Sequence, residues 1–180
     1  TSDDGGTVRL SPGVFRLTKL LNVPGYVRLA GAGKEKTTIE VVMQQPCRHG
    51  ISLVGPRVEL AGFTLIVREK SEKISYPVIT DGRDDNEGHH RFVDLRVLCE
   101  QRVYGAANMQ RPCGETTGCE FHETFAIQNP DAWVHHNLFY GGRGHRRPTA
   151  IGGTGPRCVL ENNRIETKDW PVGPGGSRNY

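Results

Sequence analysis

The sequence has no apolar run long enough to cross a bilayer, no charged-then-apolar leader at its start and no Cys-x-x-Cys pair. A membrane-spanning helix and a paired-thiol module are thereby excluded. Excess charge of one sign is also missing: 23 basic against 20 acidic residues leave a net +3, too little for a strong field around the whole molecule. A polyanionic partner must therefore be met by a local cluster. No basic stripe with interleaved aromatics and no nucleic-acid module signature occurs, so no nucleic-acid partner is expected.

What the chain does have is punctuation. Its 23 glycines and 11 prolines in 180 residues make turns frequent and leave little room for long helices, while the length suits one well-buried core. Between Gly5 and Val42 short β-branched runs (Thr7 to Leu10, Val14 to Leu17, Lys19 to Val23, Val27 to Leu29, Thr37 to Val42) alternate with Pro-Gly and Gly-Ala-Gly turns. Runs of this length between such turns read as strands.

Further on, a polar turn followed by an apolar strand recurs loosely. The copies are Val58 to Val67, Phe92 to Leu98, Thr117 to His122, Trp133 to Tyr140 and Cys158 to Glu166. A spacing of roughly 20–30 residues signals a solenoid. One coil cannot enclose a core, but stacked coils can. At about 24 residues per coil the chain makes about seven coils, a prism of roughly 35 Å. Asn137 and Asn162-Asn163 precede strands, where asparagine tolerates left-handed backbone and bonds to neighbouring peptide groups, so their role reads as structural. Four stretches read as insertions: Glu69 to Pro77, Asp81 to His90, Glu100 to Thr117 and Gly141 to Pro148. Residues 1–166 form the predicted solenoid, and the Gly/Pro-rich 167–180 a tail, cap or linker.

The order Gly5-Gly6-Thr7-Val8, Ser11-Pro12-Gly13-Val14-Phe15, Leu21-Asn22-Val23-Pro24-Gly25-Tyr26-Val27-Arg28-Leu29-Ala30-Gly31-Ala32-Gly33 and Lys36-Thr37-Thr38-Ile39 resembles the opening coils of the pectate-lyase-like superfamily. The resemblance implies an all-β, right-handed parallel β-helix, with a helical cap ahead of Gly5. The chain thus reads as a processed form or an excerpt, and the missing leader is silent about export. Two functions are implied. One is an extracellular protein that binds, and by β-elimination cleaves, an acidic polysaccharide. The other is a non-catalytic structural or receptor-binding rod of a phage tailspike, adhesin or surface assembly, a homotrimer or larger, on a virion or cell surface.

Three clusters carry candidate chemistry. Asp81, Asp84, Asp85 and Glu87 lie in one loop with His89 and His90; they suit a hard cation such as calcium, or simply a solvated acidic loop. The loop shares words with polygalacturonases, but its acids are compressed into one segment instead of converging from successive coils. Arg143, His145, Arg146 and Arg147 lie in a Gly-rich loop where guanidinium groups can clamp carboxylates. The lyase resemblance implies His145 and Arg147 as catalytic residues and Arg143 and Arg146 as substrate binders; a basic surface loop is the plain alternative. His122, His135 and His136, with Cys113 and Cys119 upstream, offer zinc-type ligands. Their spacing matches no zinc module, and adjacent His135 and His136 are expected to point oppositely on a strand. Trp133 and Tyr140 are candidates for stacking on sugar rings or for a core role. The five cysteines leave buried thiols and one or two disulfides both open.

Overall fold

The computed structural model describes residues 5–44, 47–68, 75–80, 88–100, 103, 105–109, 113–123, 125–127, 131–140, 151–152 and 158–166. Their strands follow one another around a prism. Coil 1 comprises β1 (Thr7–Arg9), β2 (Gly13–Leu17) and β3 (Leu21–Val23); coil 2 comprises β4 (Arg28–Ala30), β5 (Thr37–Val41) and β6 (His49–Leu53). Coil 3 comprises β7 (Glu59–Ala61), β8 (Thr64–Val67) and β9 (Tyr76–Thr80); coil 4 comprises β10 (His90–Val93), β11 (Arg96–Cys99) and β12 (Ala107–Met109). Coil 5 comprises β13 (Cys113–Thr117), β14 (Glu120–His122) and β15 (Phe125–Ile127); coil 6 comprises β16 (Trp133–His135), β17 (Leu138–Tyr140) and β18 (Ile151–Gly152). Coil 7 adds β19 (Val159–Glu161) and β20 (Arg164–Glu166).

Each strand pairs in parallel with its equivalent one coil away. Three sheets result: A (β1-β4-β7-β10-β13-β16-β19), B (β2-β5-β8-β11-β14-β17-β20) and C (β3-β6-β9-β12-β15-β18). This is the expected all-β parallel β-helix of about seven coils, wound in the right-handed sense that parallel crossovers take. Inward positions stack into continuous ladders. Leu29, Leu60, Phe92, Thr116 and Val134 line sheet A, and Ile39, Leu65, Val97, Phe121 and Phe139 line sheet B. Both ladders are buried along these coils, so each residue excludes water from the one above.

The corner between sheets A and B is the most regular part of the chain. From coil 3 onward it is two residues long, and its first residue is left-handed: Gly62 (φ 65°), Asp94 (50°), Gly118 (66°), His136 (55°) and Asn162 (52°). Glycine and asparagine take this conformation readily. Gly31 is needed for a different reason, since a Cβ there would lie 2.3 Å from the Gly62 carbonyl of the next coil. The second corner residue points inward. In coils 3 and 4 it is Phe63 or Leu95, both buried; in coils 6 and 7 it is Asn137 or Asn163.

The asparagines work as expected. Cys119 N donates to Asn137 Oδ1 (2.9 Å), and Asn137 Nδ2 donates to Thr116 O (2.8 Å) and to Asn163 Oδ1 (3.1 Å). Asn163 Nδ2 repeats the pattern on Val134 O (2.8 Å). These side chains satisfy peptide groups that the corner takes out of the sheets.

Variable length falls at the margins of sheet C. Successive coils are 18 residues apart between Cys119 and Asn137 but 32 apart between Glu59 and Arg91. One expectation needs correction here: Glu100 to Thr117 is no simple insertion, because it contains all of β12 and β13. Cys47, Cys99 and Cys119 are thiols, not disulfides. Burial pushes the Cys119 thiol up to about 12 and raises Cys99 as well, so both are inert core groups.

Candidate functional site

Outward positions on sheets A and B carry charges that pair from coil to coil. On sheet A, Arg28 meets Glu59 (2.7 Å), Glu59 meets Arg91 (3.0 Å), and Arg91 meets Glu115 (2.8 Å). The row ends at His135, whose Nε2 lies 3.0 Å from Glu115 Oε1. On sheet B, Arg96 meets Glu35 of the β4–β5 corner (2.7 Å) and Glu120 (2.7 Å), and Glu120 meets His122 of its own strand (2.6 Å). A second row there joins Arg16, Glu40, Arg68 and Glu100.

The end of the sheet A row is the most built polar cluster among the described residues. Trp133, His135 and Glu115 reach it because β13 and β16 pair with Glu115 opposite Trp133 and Thr117 opposite His135. Val134 and Thr116 between them turn inward. The Trp133 and His135 rings stack at 4.0 Å and 26°. The indole N–H donates to Glu161 Oε1 (2.8 Å), and Glu161 is the register partner of His135 in coil 7. Trp133 remains 45% exposed, while the His135 side chain is 11% exposed. Burial pushes the Glu115 carboxyl up, but hydrogen bonds from Arg91 and His135 outweigh it and hold the group below the usual carboxylate range.

His136 overturns the expectation that adjacent histidines diverge. It lies outside the strand, at the left-handed corner, and that backbone swings its ring back beside its neighbour's. The two Nδ1 atoms face each other at 2.8 Å with the rings nearly perpendicular (85°). Thr117 Oγ1 lies 3.4 Å from His135 Nδ1.

The remaining candidates separate. His122 stays on sheet B, its ring centroid 4.2 Å from that of Tyr140 and tilted by 31°. Tyr140 and Trp133 therefore belong to the outer faces of different sheets, on either side of the corner, and do not share one platform. Cys119 is 1% exposed and faces the core, which removes it from any ligand set with the histidines. Among the described residues, no group of three or more His, Cys, Asp or Glu converges as a metal centre. Asp81, Asp84, Asp85 and Glu87 lie outside the described residues, in the connection from β9 to β10. Arg143, His145, Arg146 and Arg147 also lie outside them, between β17 and β18. No helix among the described residues is long and apolar enough to cross a membrane.

Sequence reasoning missed two features. Glu115 and Glu161 had no local signal, since their partners come from neighbouring coils. The outward row of sheet C, read from Ser52, Ile79, Asn108 and Ala126, is buried (5%, 7%, 2% and 4% exposed), unlike the outward rows of the other sheets. No family model, no curated protein and no solved structure matches this chain.

Proposed function

We propose that the protein is an extracellular, carbohydrate-directed β-helix that binds a polysaccharide along the outer face of sheet A. Trp133 carries this reading: a large aromatic face held open to solvent, backed by His135 and locked by Glu161. A ring fixed in this way offers apolar area to the C–H face of a pyranose at little cost in side-chain entropy. Arg91, Glu115 and Glu161 supply donors and acceptors for hydroxyls beside it. Preference for an acidic polymer, and cleavage by β-elimination, rest on the resemblance and on the Arg143 to Arg147 loop. Base and cation are both needed there, because a uronate proton is lost only when the adjacent carboxylate is stabilised.

A non-catalytic rod is the second reading. It is favoured by the charged rows, in which arginines and glutamates engage one another across coils. Against it, among the described residues the large exposed apolar residues (Val8, Val14, Leu20, Val54, Trp133, Val159) form no continuous lateral stripe, only Trp133 and Val159 adjoining on sheet A of coils 6 and 7.

Affinity electrophoresis in pectate, alginate, hyaluronan and chondroitin gels, with and without calcium, tests the proposal. Absorbance of unsaturated uronates and new reducing ends are followed in parallel. The expected result is retardation weakened about tenfold by Trp133→Ala. Absorbance abolished by replacing Arg143, Arg146 and Arg147 together establishes the lyase activity. Retardation indifferent to Trp133→Ala removes sheet A as the binding face, and no retardation in any gel leaves the rod.

A further inference from the structure

His135 and His136 present their Nδ1 atoms to each other across 2.8 Å. Two nitrogens cannot both donate at that distance, so one of them offers a lone pair. Glu115 decides which. Its carboxylate accepts only, so a neutral His135 donates from Nε2 and carries its lone pair on Nδ1. His136 Nδ1–H then completes the contact, and its exposed ring can move that proton to Nε2 through water. Both Nδ1 atoms would then be unprotonated and side by side on one face, with no net proton released.

The spacing is compatible with one coordination geometry in particular. Imidazole nitrogens bind at about 2.0–2.1 Å, so adjacent corners of a tetragonal ion place them about 2.9 Å apart, whereas tetrahedral corners require about 3.3 Å. The pair as folded is close to the first. Two nitrogens and no thiolate also suit copper(II) or nickel(II) better than a closed zinc site, which needs four ligands. Calcium is disfavoured because it prefers oxygen. The Thr117 hydroxyl and water are the neutral donors at hand, and the Glu161 backbone and side chain already hold His136 N (3.3 Å) and Trp133 Nε1 (2.8 Å) on the same face. Glu115 stands behind His135 as the carboxylate that orients a ligating imidazole and fixes which nitrogen carries the proton.

We propose that His135 and His136 form a two-imidazole site for a divalent transition ion of the copper or nickel type, ligated at the facing Nδ1 atoms and positioned by Glu115. The site does not depend on carbohydrate binding. Trp133, stacked on His135 at 4.0 Å, is a built-in reporter, since either ion quenches a nearby indole.

The intact chain is titrated with copper(II) or nickel(II) alone. Saturable quenching at one equivalent is expected, absent in Trp133→Phe, whose remaining Trp170 would report any quenching that arises elsewhere. His136→Asn is the decisive variant: coil 7 has Asn162 at the same left-handed corner (φ 52°), so this change preserves the backbone while removing the ligand. It should abolish saturable quenching, and Glu115→Gln should weaken affinity about tenfold. Paramagnetic resonance of the copper form should show two coupled nitrogens, a readout that stands even if a variant fails to fold. Quenching unchanged in folded His136→Asn, no saturable quenching in the native chain, or fewer than two coupled nitrogens overturns the proposal.

Discussion

Coil 5 places the same device on two faces and finishes it in two ways. On sheet A, Glu115 takes Arg91 from coil 4 and His135 from coil 6; on sheet B, Glu120 takes Arg96 from coil 4 and His122 from its own strand. In both carboxyls burial acts upward and is outweighed, for Glu120 by hydrogen bonds from His122 and Arg96. The His122 side chain is 37% exposed against 11% for His135. A histidine two residues away joins the glutamate whenever the strand forms. One from the next coil joins only when the coils stack, so Glu115 ties three coils where Glu120 ties two. Solvent-exposed pairs are worth little, and the sheet A end is correspondingly the better candidate for a rigid site.

The interiors behind the two ends differ in the opposite sense. Behind Glu120, Phe121 is fully buried and packs on Phe125 (4.6 Å) and Phe139 (5.5 Å, nearly parallel). Behind Glu115, Thr116 is 1% exposed and its Oγ1 has no hydrogen-bond partner among the described residues. Sheet B thus has the stronger core and the looser surface.

The largest expected effect breaks that core. Phe121→Ala should destabilise the fold by about 3–5 kcal/mol, through lost transfer energy and a cavity between coils; an unchanged denaturant midpoint would contradict the packing described. A smaller change sharpens the contrast from the other side. Thr116→Val keeps the shape and removes an unpaired hydroxyl, and should stabilise by about 1 kcal/mol in the same assay; a loss of stability would mean that the hydroxyl has a partner.

The smallest effect is the pH response. The folded pKa values of Glu115 and Glu120 lie below the ordinary glutamate value of about 4.3. Stability from them is therefore fully present above that value and is lost as pH falls through the folded values. The melting temperature should drop below about pH 4.3, and Glu115→Gln should flatten that drop more than Glu120→Gln, whose histidine is more exposed. Equal slopes in the two variants would erase the distinction between the faces.

Much of the fold was legible because the A–corner–B unit keeps strict spacing. The copies at Val58–Val67, Phe92–Leu98, Trp133–Tyr140 and Cys158–Glu166 each match a sheet A strand, a two-residue corner and a sheet B strand. Sheet C was harder. Its strands β12, β15 and β18 are two or three residues long and lie between connections of changing length, so no period marks them. The site was less legible still. Trp133 stood out by residue type, but Glu115 and Glu161 are ordinary surface glutamates until coils 5 and 7 are stacked on coil 6.

The sequence by itself determined the strands, the turns and the solenoid, because alternating apolar residues and left-handed corner residues act over a few neighbours. Tertiary structure decided which charges meet and where two adjacent histidines point. Those depend on register between strands 18 to 32 residues apart and on one corner residue, His136, taking a backbone conformation that turns its ring toward its neighbour's.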